Sequence, residues 1–372
     1  MSNEKGIAAS NGSTPSYGVT EAGGSYNRHA ATQLAGATLA LPLLEKAAQD
    51  LLLNAGDQPV VIADYGCSQG KNSLAPIRAA IAVLRKRISR HRPICVVHVD
   101  VAENDFTTLF EVLDTAPDSY FLDDPDVFPS AVGRSFYHSV LPPDHVHLGW
   151  SSYAAVWLSR IPAMIPDHIW PASSTGEVHA ALERQAAQDW ETFLALRARE
   201  LRSGGKLVVV LPGIGDDVSS AAKSRLGDMM DHANSVLSEM VAYGLITTEE
   251  RVRMVLPSYP RRRSELLAPF GQGRRFGCLL VEHCAVFPFT DAAWTEYERD
   301  GDDAGLAARH AGFFRAAFLP TLASALAPDR GAEGRQSFID RLAEGLRRRL
   351  VGHPAPLQLL AQVIVLAKQA AT

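Results

Sequence analysis

The sequence has few cysteines, and none of them are clustered. Its 372 residues include four, at positions 67, 95, 278 and 284, and no two of them form a C-x-x-C pair or a zinc-type spacing. This scarcity argues against a disulfide-rich secreted domain and against a cysteine-based zinc site. We therefore expect a reduced, intracellular protein.

The chain also lacks a long apolar run and a strong excess of either charge. No stretch approaches the roughly 18 consecutive apolar residues that a membrane-spanning helix needs, and the first residues lack the basic start and apolar centre of a secretory signal. The net charge of -5 and the pI near 6.2 leave no electrostatic footprint for nucleic acid. We expect a cytoplasmic protein with no membrane span and no nucleic-acid partner.

What the chain does contain is an alternation of apolar runs with amphipathic stretches. The strand-like runs cover 60–63, 94–100, 204–215 and 276–287, with another strand end at 145–150. Helical patterns cover 76–88, 105–114 and 177–202. Such alternation predicts a mainly parallel sheet covered by helices on both faces. Residues 288–350 are almost purely helical and predict a cap on this α/β fold.

The loop after the first strand reads DYGCSQG, residues 64–70. In a doubly wound sheet, ligands bind beyond the carboxyl ends of the strands. A dinucleotide fingerprint would read G-x-G-x-x-G, whereas here Gly66 and Gly70 stand with three residues between them. Asp64, at the strand end, would repel a pyrophosphate and would suit an ammonium or a sulfonium. The loop therefore disfavours a nicotinamide oxidoreductase.

A second acid, Asp100, ends the second strand. A carboxylate at that position can accept hydrogen bonds from both hydroxyls of a ribose. One acid near a cation and another on a ribose, without a phosphate cradle, indicate S-adenosylmethionine.

Longer motifs carry a family resemblance. The chain contains IADYGCSQGKNSL, HVDVAENDFTTLF and VGRSFYHSVLPPDHVHLGWSSYAAVWLSRIP, followed by LPSYPRRRSELL and AGFFRAAFLPTL. In this order, from about Tyr26 to Leu322, they resemble the SABATH family of S-adenosylmethionine-dependent carboxyl methyltransferases of the salicylate, benzoate, jasmonate and theobromine type. The resemblance implies a Rossmann-like class I methyltransferase sheet with a helical cap. The alanine-rich end of the chain favours a bacterial member.

The resemblance also implies a set of cofactor-binding residues. Asp100 would take the ribose hydroxyls, Val101 would lie against the adenine, and Ser135 and Phe136 would bind its edge and cover its face. The matching positions are Tyr26, Asp64, Gly66, Cys67, Asn72, Asp100, Val101, Ser135 and Phe136. The donor would be S-adenosyl-L-methionine and the product S-adenosyl-L-homocysteine.

Two residues match the family's grip on a substrate carboxylate. The amino-terminal signature, roughly S-Y-A-x-N-S-x-x-Q, aligns its glutamine with Gln33, although His29 and Ala30 replace its Asn and Ser. The gripping tryptophan aligns with Trp157. Gln33 and Trp157 are therefore the implied catalytic residues.

Three further residues complete the predicted substrate pocket. Trp150 and Tyr153 precede Trp157 at spacings of three and four, so the three rings could share one helical face, although a core-packing stripe has the same spacing. Val156 replaces the histidine or methionine of plant relatives and favours a hydrophobic acid, either fatty or benzoate-like.

No metal is expected. Some relatives hold one through an asparagine, and Val255 stands at that position here. His145 and His147 could face one side of a strand, but a pair without a third ligand is a weak metal signal.

The predicted function is carboxyl methylation of a small hydrophobic acid. The alternatives are N-methylation of a xanthine-like heterocycle and a non-catalytic protein that binds S-adenosylmethionine. The oligomeric state stays open, with a homodimer as one option. The predicted organisation is a flexible arm over 1–25, a cofactor-binding part of the core over 26–160, a cap segment and connecting helix over 161–203, the rest of the core with cap insertions over 204–287, and a helical cap over 288–372.

Overall fold

A single twisted sheet organises the chain. The computed structural model describes residues 21, 23–122, 124–214 and 224–369, so most of the predicted arm lies outside the described residues. The strands are β1 (Val60–Tyr65), β2 (Ile94–Asp100), β3 (Val127–Gly133), β4 (Val146–Ser152), β5 (Leu201–Gly213), β6 (Arg275–Phe276), β7 (Leu279–Thr290) and β8 (Gln358–Lys368). Within the described chain they form one eight-stranded sheet in the order β3-β2-β1-β4-β5-β8-β7-β6.

The helices cover both faces of this sheet and build the cap. They are α1 (Ser25–His29), α2 (Ala31–Thr38), α3 (Leu41–Gln49), α4 (Lys71–Arg85), α5 (Phe106–Thr115), α6 (Gly176–Glu200), α7 (Arg225–Ala242), α8 (Thr248–Arg253), α9 (Arg263–Leu267), α10 (Ala292–Asp300), α11 (Asp303–Ala323) and α12 (Gly331–Leu350). None of the described helices is long and apolar enough to cross a membrane.

The strands divide into a parallel and an antiparallel half. β3, β2, β1, β4 and β5 run parallel, whereas β8 pairs antiparallel with both β5 and β7. Parallel strands need crossover helices, and these are what the alternating sequence pattern supplies. The carboxyl ends of the parallel strands therefore meet along one edge, where a ligand is expected.

Helix α4 shows how the pattern produces the packing. Leu74, Ile77, Ile81 and Leu84 recur at spacings of three and four and are all buried against the sheet. The helix begins at Lys71, five residues earlier than the predicted start at Pro76. A proline in the second turn loses one backbone hydrogen bond, and packing of the first turn against the loop outweighs that loss.

The cap has a hydrophobic core of its own. α7, α11 and α12 bury their apolar faces against one another, with Met229, Phe314 and Leu342 fully enclosed. The predicted α/β sheet with a helical cap is confirmed.

Two strands differ from the sequence-based expectation. Residues 358–368 were expected to be part of the helical cap, but they form β8 inside the sheet. Their run of buried apolar residues is typical of a strand covered on both faces. β3 was not predicted because Pro129 interrupts its pattern. Proline is tolerated there because β3 is an edge strand.

Candidate active site

The loop after β1 turns tightly beneath a cavity at the carboxyl edge of the sheet. Gly66 has φ 91°, and a Cβ at this position would overlap the Cβ of Ala154. Glycine is therefore required both by the backbone conformation and by the close approach of the neighbouring segment. The Ser68 N–H donates to Asp100 Oδ2 at 2.7 Å, which ties the loop to the end of β2.

Asp100 lies at the mouth of this turn with both oxygens already oriented. Oδ2 accepts from the Ser68 N–H and Oδ1 accepts from its neighbour's N–H at 2.8 Å. The side chain lines the cavity and is partly enclosed by protein. Desolvation by this enclosure raises the pKa of Asp100 to about 6, although the two N–H donors act in the opposite direction. Each oxygen retains lone-pair capacity for a hydroxyl donor.

Asp64 lies under the loop rather than at the cavity. It is 1% exposed, and its Oδ2 accepts from Ser73 Oγ at 2.6 Å and meets His98 Nδ1 at 2.9 Å. His98 Nε2 in turn meets the Tyr120 hydroxyl at 2.7 Å. The predicted direct contact of Asp64 with a cation therefore has no support in this geometry. Its carboxylate is buried and hydrogen-bonded to the residues that hold the loop in place.

Two other predicted cofactor residues also support the loop from behind. Cys67 is buried, and burial raises the pKa of its thiol, so the group remains neutral. Asn72 donates from Nδ2 to the Ala30 carbonyl at 3.2 Å, which joins α4 to the start of α2. The side chain of Tyr26 lies outside the described part of the chain.

The segment after β3 supplies a second wall of the cavity. Ser135, Phe136 and Val101 all line it. The Phe136 ring meets Phe193 edge-on, with centroids 5.8 Å apart. The ring is therefore fixed from behind and presents its other side to the cavity.

Sequence reasoning missed the ion pair that holds this segment. Arg197 is fully buried at the end of α6 and donates to the Phe136 carbonyl at 2.9 Å and to Glu200 at 2.8 Å. Glu200 accepts from the Val140 N–H at 2.9 Å and from the Tyr65 hydroxyl at 2.9 Å. The sequence signal was available, because Trp190 and the adjoining Phe193 and Leu194 place Arg197 on the buried face of the helix.

The predicted acid-binding aromatics do not share a helical face, so that interpretation was wrong. Trp150 lies within strand β4 and is buried in the sheet core, while Tyr153 follows the strand at φ 56°. Residues in a strand and in the turn after it do not follow helical periodicity, so a spacing of three does not place them on one face. Tyr153 and Trp157 both line the cavity, whereas Val156 is buried behind them.

Trp157 lies where the sheet meets the cap. Its ring centroid is 6.1 Å from that of Phe318 on α11, and it packs against the cores of both the sheet and the cap. The backbone N–H of Trp157 donates to the Ala154 carbonyl at 3.1 Å. The indole is therefore held between the sheet and the cap.

Gln33 approaches the same region from the amino-terminal side. It lies on α2, which packs against Tyr153 so closely that a Cβ at Gly36 would overlap the Tyr153 hydroxyl. The Gln33 Oε1 atom is buried without a hydrogen-bond partner among the described residues. Gln33 is nevertheless not among the residues that line the described cavity.

His147, one of the two histidines before the motif, has a structural role. His147 accepts from the Val61 N–H at 3.0 Å and so joins β4 to β1. Burial lowers its pKa to about 4, so the ring is neutral. In the described ranges, no group of three or more His, Cys, Asp or Glu side chains could hold a metal ion.

The cavity has a volume of about 790 Å³ and runs from Asp100 to Trp157. Its Asp100 end combines a glycine turn, a two-oxygen acceptor and the apolar side chains of Val101 and Phe136. These residues fit a ribose with an adenine beside it. The structure thus gathers Gly66, Asp100, Val101, Ser135, Phe136, Tyr153 and Trp157 around one cavity.

Comparisons with known proteins agree with this geometry. A family model described as SAM dependent carboxyl methyltransferase matches residues 17–368. The gibberellic acid methyltransferase 2 of Arabidopsis thaliana is 25% identical over 346 residues, covering 86% of each chain. The salicylate carboxymethyltransferase of Clarkia breweri is 29% identical over 256 residues, which cover 66% of this chain and 68% of the relative.

Two further matches bear on extent and fold. The methyltransferase FUS9 of Gibberella moniliformis is 31% identical over 245 residues, and the match spans 65% of this chain and 64% of the length of that relative. A solved structure titled loganic acid methyltransferase with SAH superposes with a TM-score of 0.73 at 22% identity, covering 94% of this chain and 99% of the other. This structural match shows that the two chains share the fold.

Proposed function

The chain belongs to the family of S-adenosylmethionine-dependent carboxyl methyltransferases, and from this premise we propose that it converts the carboxylate of a small hydrophobic acid to its methyl ester. One observation carries the proposal. A single cavity joins the Asp100 end, which fits the cofactor's ribose, to the indole of Trp157, which can donate to a carboxylate. A methyl donor and an acid bound at these two ends would meet inside the cavity.

The proposed reaction needs no general base. A carboxylic acid with a pKa near 4–5 is already ionised at neutral pH. S-adenosylmethionine supplies, when bound, an electrophilic methyl group on a positively charged sulfur. A carboxylate oxygen would use a lone pair to form the new O–C bond as the C–S bond breaks, with the electron pair remaining on sulfur. The protein's part is alignment, and proximity of this kind contributes about 7–11 kcal/mol in favourable cases.

Trp157 and Gln33 would align the acid. An indole N–H is a pure donor, so it can hold one carboxylate oxygen without accepting a proton. Gln33 lies on α2, which packs against Tyr153 at Gly36, and its Oε1 has no partner in the described part of the chain. In the proposed complex, the Gln33 Nε2 would donate a hydrogen bond to the incoming carboxylate. Both hydrogen bonds must be weak enough to leave the other oxygen nucleophilic.

The surroundings of Trp157 favour an apolar acid. Phe318 packs on its ring, and Phe313 and Phe314 lie next to Phe318 on α11. Val156, behind the cavity wall, is also apolar. These contacts support an aromatic or fatty acid over a polar xanthine-like ring.

A methyl-transfer assay tests the proposal. Purified protein would be incubated with S-adenosylmethionine labelled in the methyl group and a panel of salicylate, benzoate, straight-chain fatty acids and xanthines. We expect labelled methyl esters of at least one apolar acid, with about ten- to a hundredfold slower formation in Trp157→Phe. The rate should be unchanged in Trp294→Phe, whose indole donates to Glu298 on the surface. Labelled xanthine would favour the N-methyltransferase alternative, and cofactor binding without transfer to any compound would favour the binding protein.

A further inference from the structure

Two segments carry the two halves of the site. The adenine segment is defined here as residues 135–137, which follow β3 and include Ser135 and Phe136. The acid segment is defined as residues 154–158, which follow β4 and include Trp157. The first lies between β3 and β4 and the second lies between β4 and α6, so nothing in the chain order requires them to move together.

The acid segment is anchored on one side to the cap. The Val156 carbonyl accepts from the Tyr259 N–H at 3.0 Å, and the Leu158 N–H donates to the Pro257 carbonyl at 2.7 Å. Arg261, which is buried, donates to the carbonyl of Ala155 at 2.6 Å. These bonds hold the residues on either side of Trp157.

Tyr137 joins the two segments. Its hydroxyl donates to the backbone carbonyl of Trp157 at 2.6 Å, and its ring lies 4.8 Å from that of Phe136, centroid to centroid. Desolvation of the enclosed phenol raises its pKa far above neutrality, so the hydroxyl stays a donor. Tyr137 also lines the cavity itself. The residue that follows the adenine-covering ring is thus hydrogen-bonded to the residue that faces the acid.

The other end of the adenine segment is fixed. The Arg197 guanidinium holds the Phe136 carbonyl at 2.9 Å, and Arg197 is itself immobilised by Glu200. A ligand that presses on the Phe136 ring therefore meets a rigid backbone behind it. A displacement of the Phe136 ring is therefore transmitted to the Tyr137 ring, which contacts it.

We propose that Tyr137 is a positioning residue that couples cofactor binding to the placement of Trp157. Adenine bound against Phe136 restricts the position of the Tyr137 ring. The Tyr137 hydroxyl then fixes the Trp157 backbone so that the indole points at the acid. Because coupling between two ligands is reciprocal, the acid tightens the cofactor by the same factor. The inference rests on the proposed function for the identity of the second ligand, but the link from cofactor to Trp157 can be measured without any acid.

Fluorine NMR measures that link directly. The protein has five tryptophans, so 5-fluorotryptophan labelling yields five resonances, and Trp157→Phe assigns one by its disappearance. We expect S-adenosylhomocysteine to shift the Trp157 resonance in the wild type. In Tyr137→Phe the shift should fall to less than about half, while the Kd for S-adenosylhomocysteine should change by less than about threefold, since a lost hydrogen bond is a modest effect.

Tyr259→Phe is the matched control. It also removes one enclosed hydroxyl, which donates to Glu265 at 2.8 Å, and it leaves the backbone bond to Val156 intact. This variant should keep the full shift. A full shift in Tyr137→Phe, or no shift in the wild type, would overturn the proposal. Loss of S-adenosylhomocysteine binding in Tyr137→Phe would also overturn it, because Tyr137 would then be a cofactor ligand.

A second measurement uses the acid. In the wild type, S-adenosylhomocysteine should tighten the binding of benzoate or octanoate by about three- to tenfold, and Tyr137→Phe should abolish that tightening while Tyr259→Phe preserves it. Equal tightening in all three proteins would contradict the coupling. If neither acid binds and none is methylated, the proposed function fails, whereas the fluorine shift still decides the role of Tyr137.

Discussion

The two ends of the cavity are built in different ways. The cofactor end is made from strand ends and the loops directly after them, and backbone N–H groups orient Asp100. The other end is lined by the acid segment, where the Trp157 ring packs against Phe318 of the cap helix α11, which is far away in the chain. A cofactor shared by a whole family can be bound by the fixed edge of the sheet. A substrate that varies between members can be bound where the side chains between sheet and cap are free to change.

The largest expected effect is a loss of cofactor affinity on substitution of Asp100. Asp100→Ala should weaken binding of S-adenosylhomocysteine about a hundredfold or more, because two ribose hydroxyls lose a charged acceptor and each such bond is worth about 1.5–3 kcal/mol. Calorimetry measures it, and the exposed carboxylate of Asp118 provides the control variant Asp118→Ala. An unchanged affinity would show that the ribose lies elsewhere and would remove the contrast between the ends.

The buried ion pair behind the adenine segment should affect stability next. Arg197→Met should lower the free energy of unfolding by about 3–5 kcal/mol, because Glu200 is left as a buried charge without its partner. Thermal and denaturant unfolding report this. Arg197→Met combined with Glu200→Gln should be more stable than Arg197→Met alone, and a further loss in the double variant would rule out the uncompensated charge as the cause.

Trp157 tests the acid end alone. Trp157→Phe keeps most of the apolar bulk and removes one donor, so kcat/KM for the acid should fall about ten- to a hundredfold. The affinity for S-adenosylhomocysteine should stay within about twofold, as measured by calorimetry. Gln33→Leu should behave alike, and the double variant should lose less than the sum of the two. A parallel fall in both affinities, with a lower melting temperature, would make Trp157 a packing residue.

Acidification should weaken the cofactor end. In the protein without cofactor, Asp100 has a pKa of about 6. Hydrogen bonds from two ribose hydroxyls would lower this pKa in the complex. Affinity is therefore fully present above pH 7 and is lost as the pH falls through 6, by about tenfold between pH 7 and pH 5. Asp100→Asn should bind weakly at every pH with a flatter profile. A wild-type affinity that rises on acidification would mean that the carboxylate is not the acceptor.

The smallest effect should be that of metal removal. We expect methyl transfer to be unchanged by EDTA, because Val255 cannot act as a ligand and lies buried between other apolar side chains. Loss of turnover in EDTA, restored by magnesium, would show that the acid end has a metal-dependent part.

The lining of the cavity's Asp100 end could be predicted from the sequence to a large extent. Gly66, Asp100, Val101, Ser135 and Phe136 all lie at the cavity. The first three stand at or directly after the ends of readable strands, and the last two were identified by their motif alone. Family membership and the α/β class are confirmed. The bacterial origin, the homodimer and the division into five segments remain predictions.

Residues that look alike in a motif were separated by burial. Asp64 belongs to the same loop motif as Gly66, yet it holds Ser73 and His98 below the loop instead of a ligand above it. Trp150 belongs to the same aromatic pattern as Trp157, yet strand geometry places it inside the core. A motif specifies which residues are near a site but not which side of the backbone each one faces.

The sequence by itself determined the class of fold and the family, because hydrophobic periodicity and sequence motifs are local properties of the chain. Only the tertiary structure decided that β8 returns to the sheet, that Arg197 and Glu200 brace Phe136, and that Tyr137 reaches the Trp157 carbonyl. Those contacts join residues from separate elements. They depend on how helices and strands pack, and packing is a property of the whole fold that no short stretch of sequence encodes.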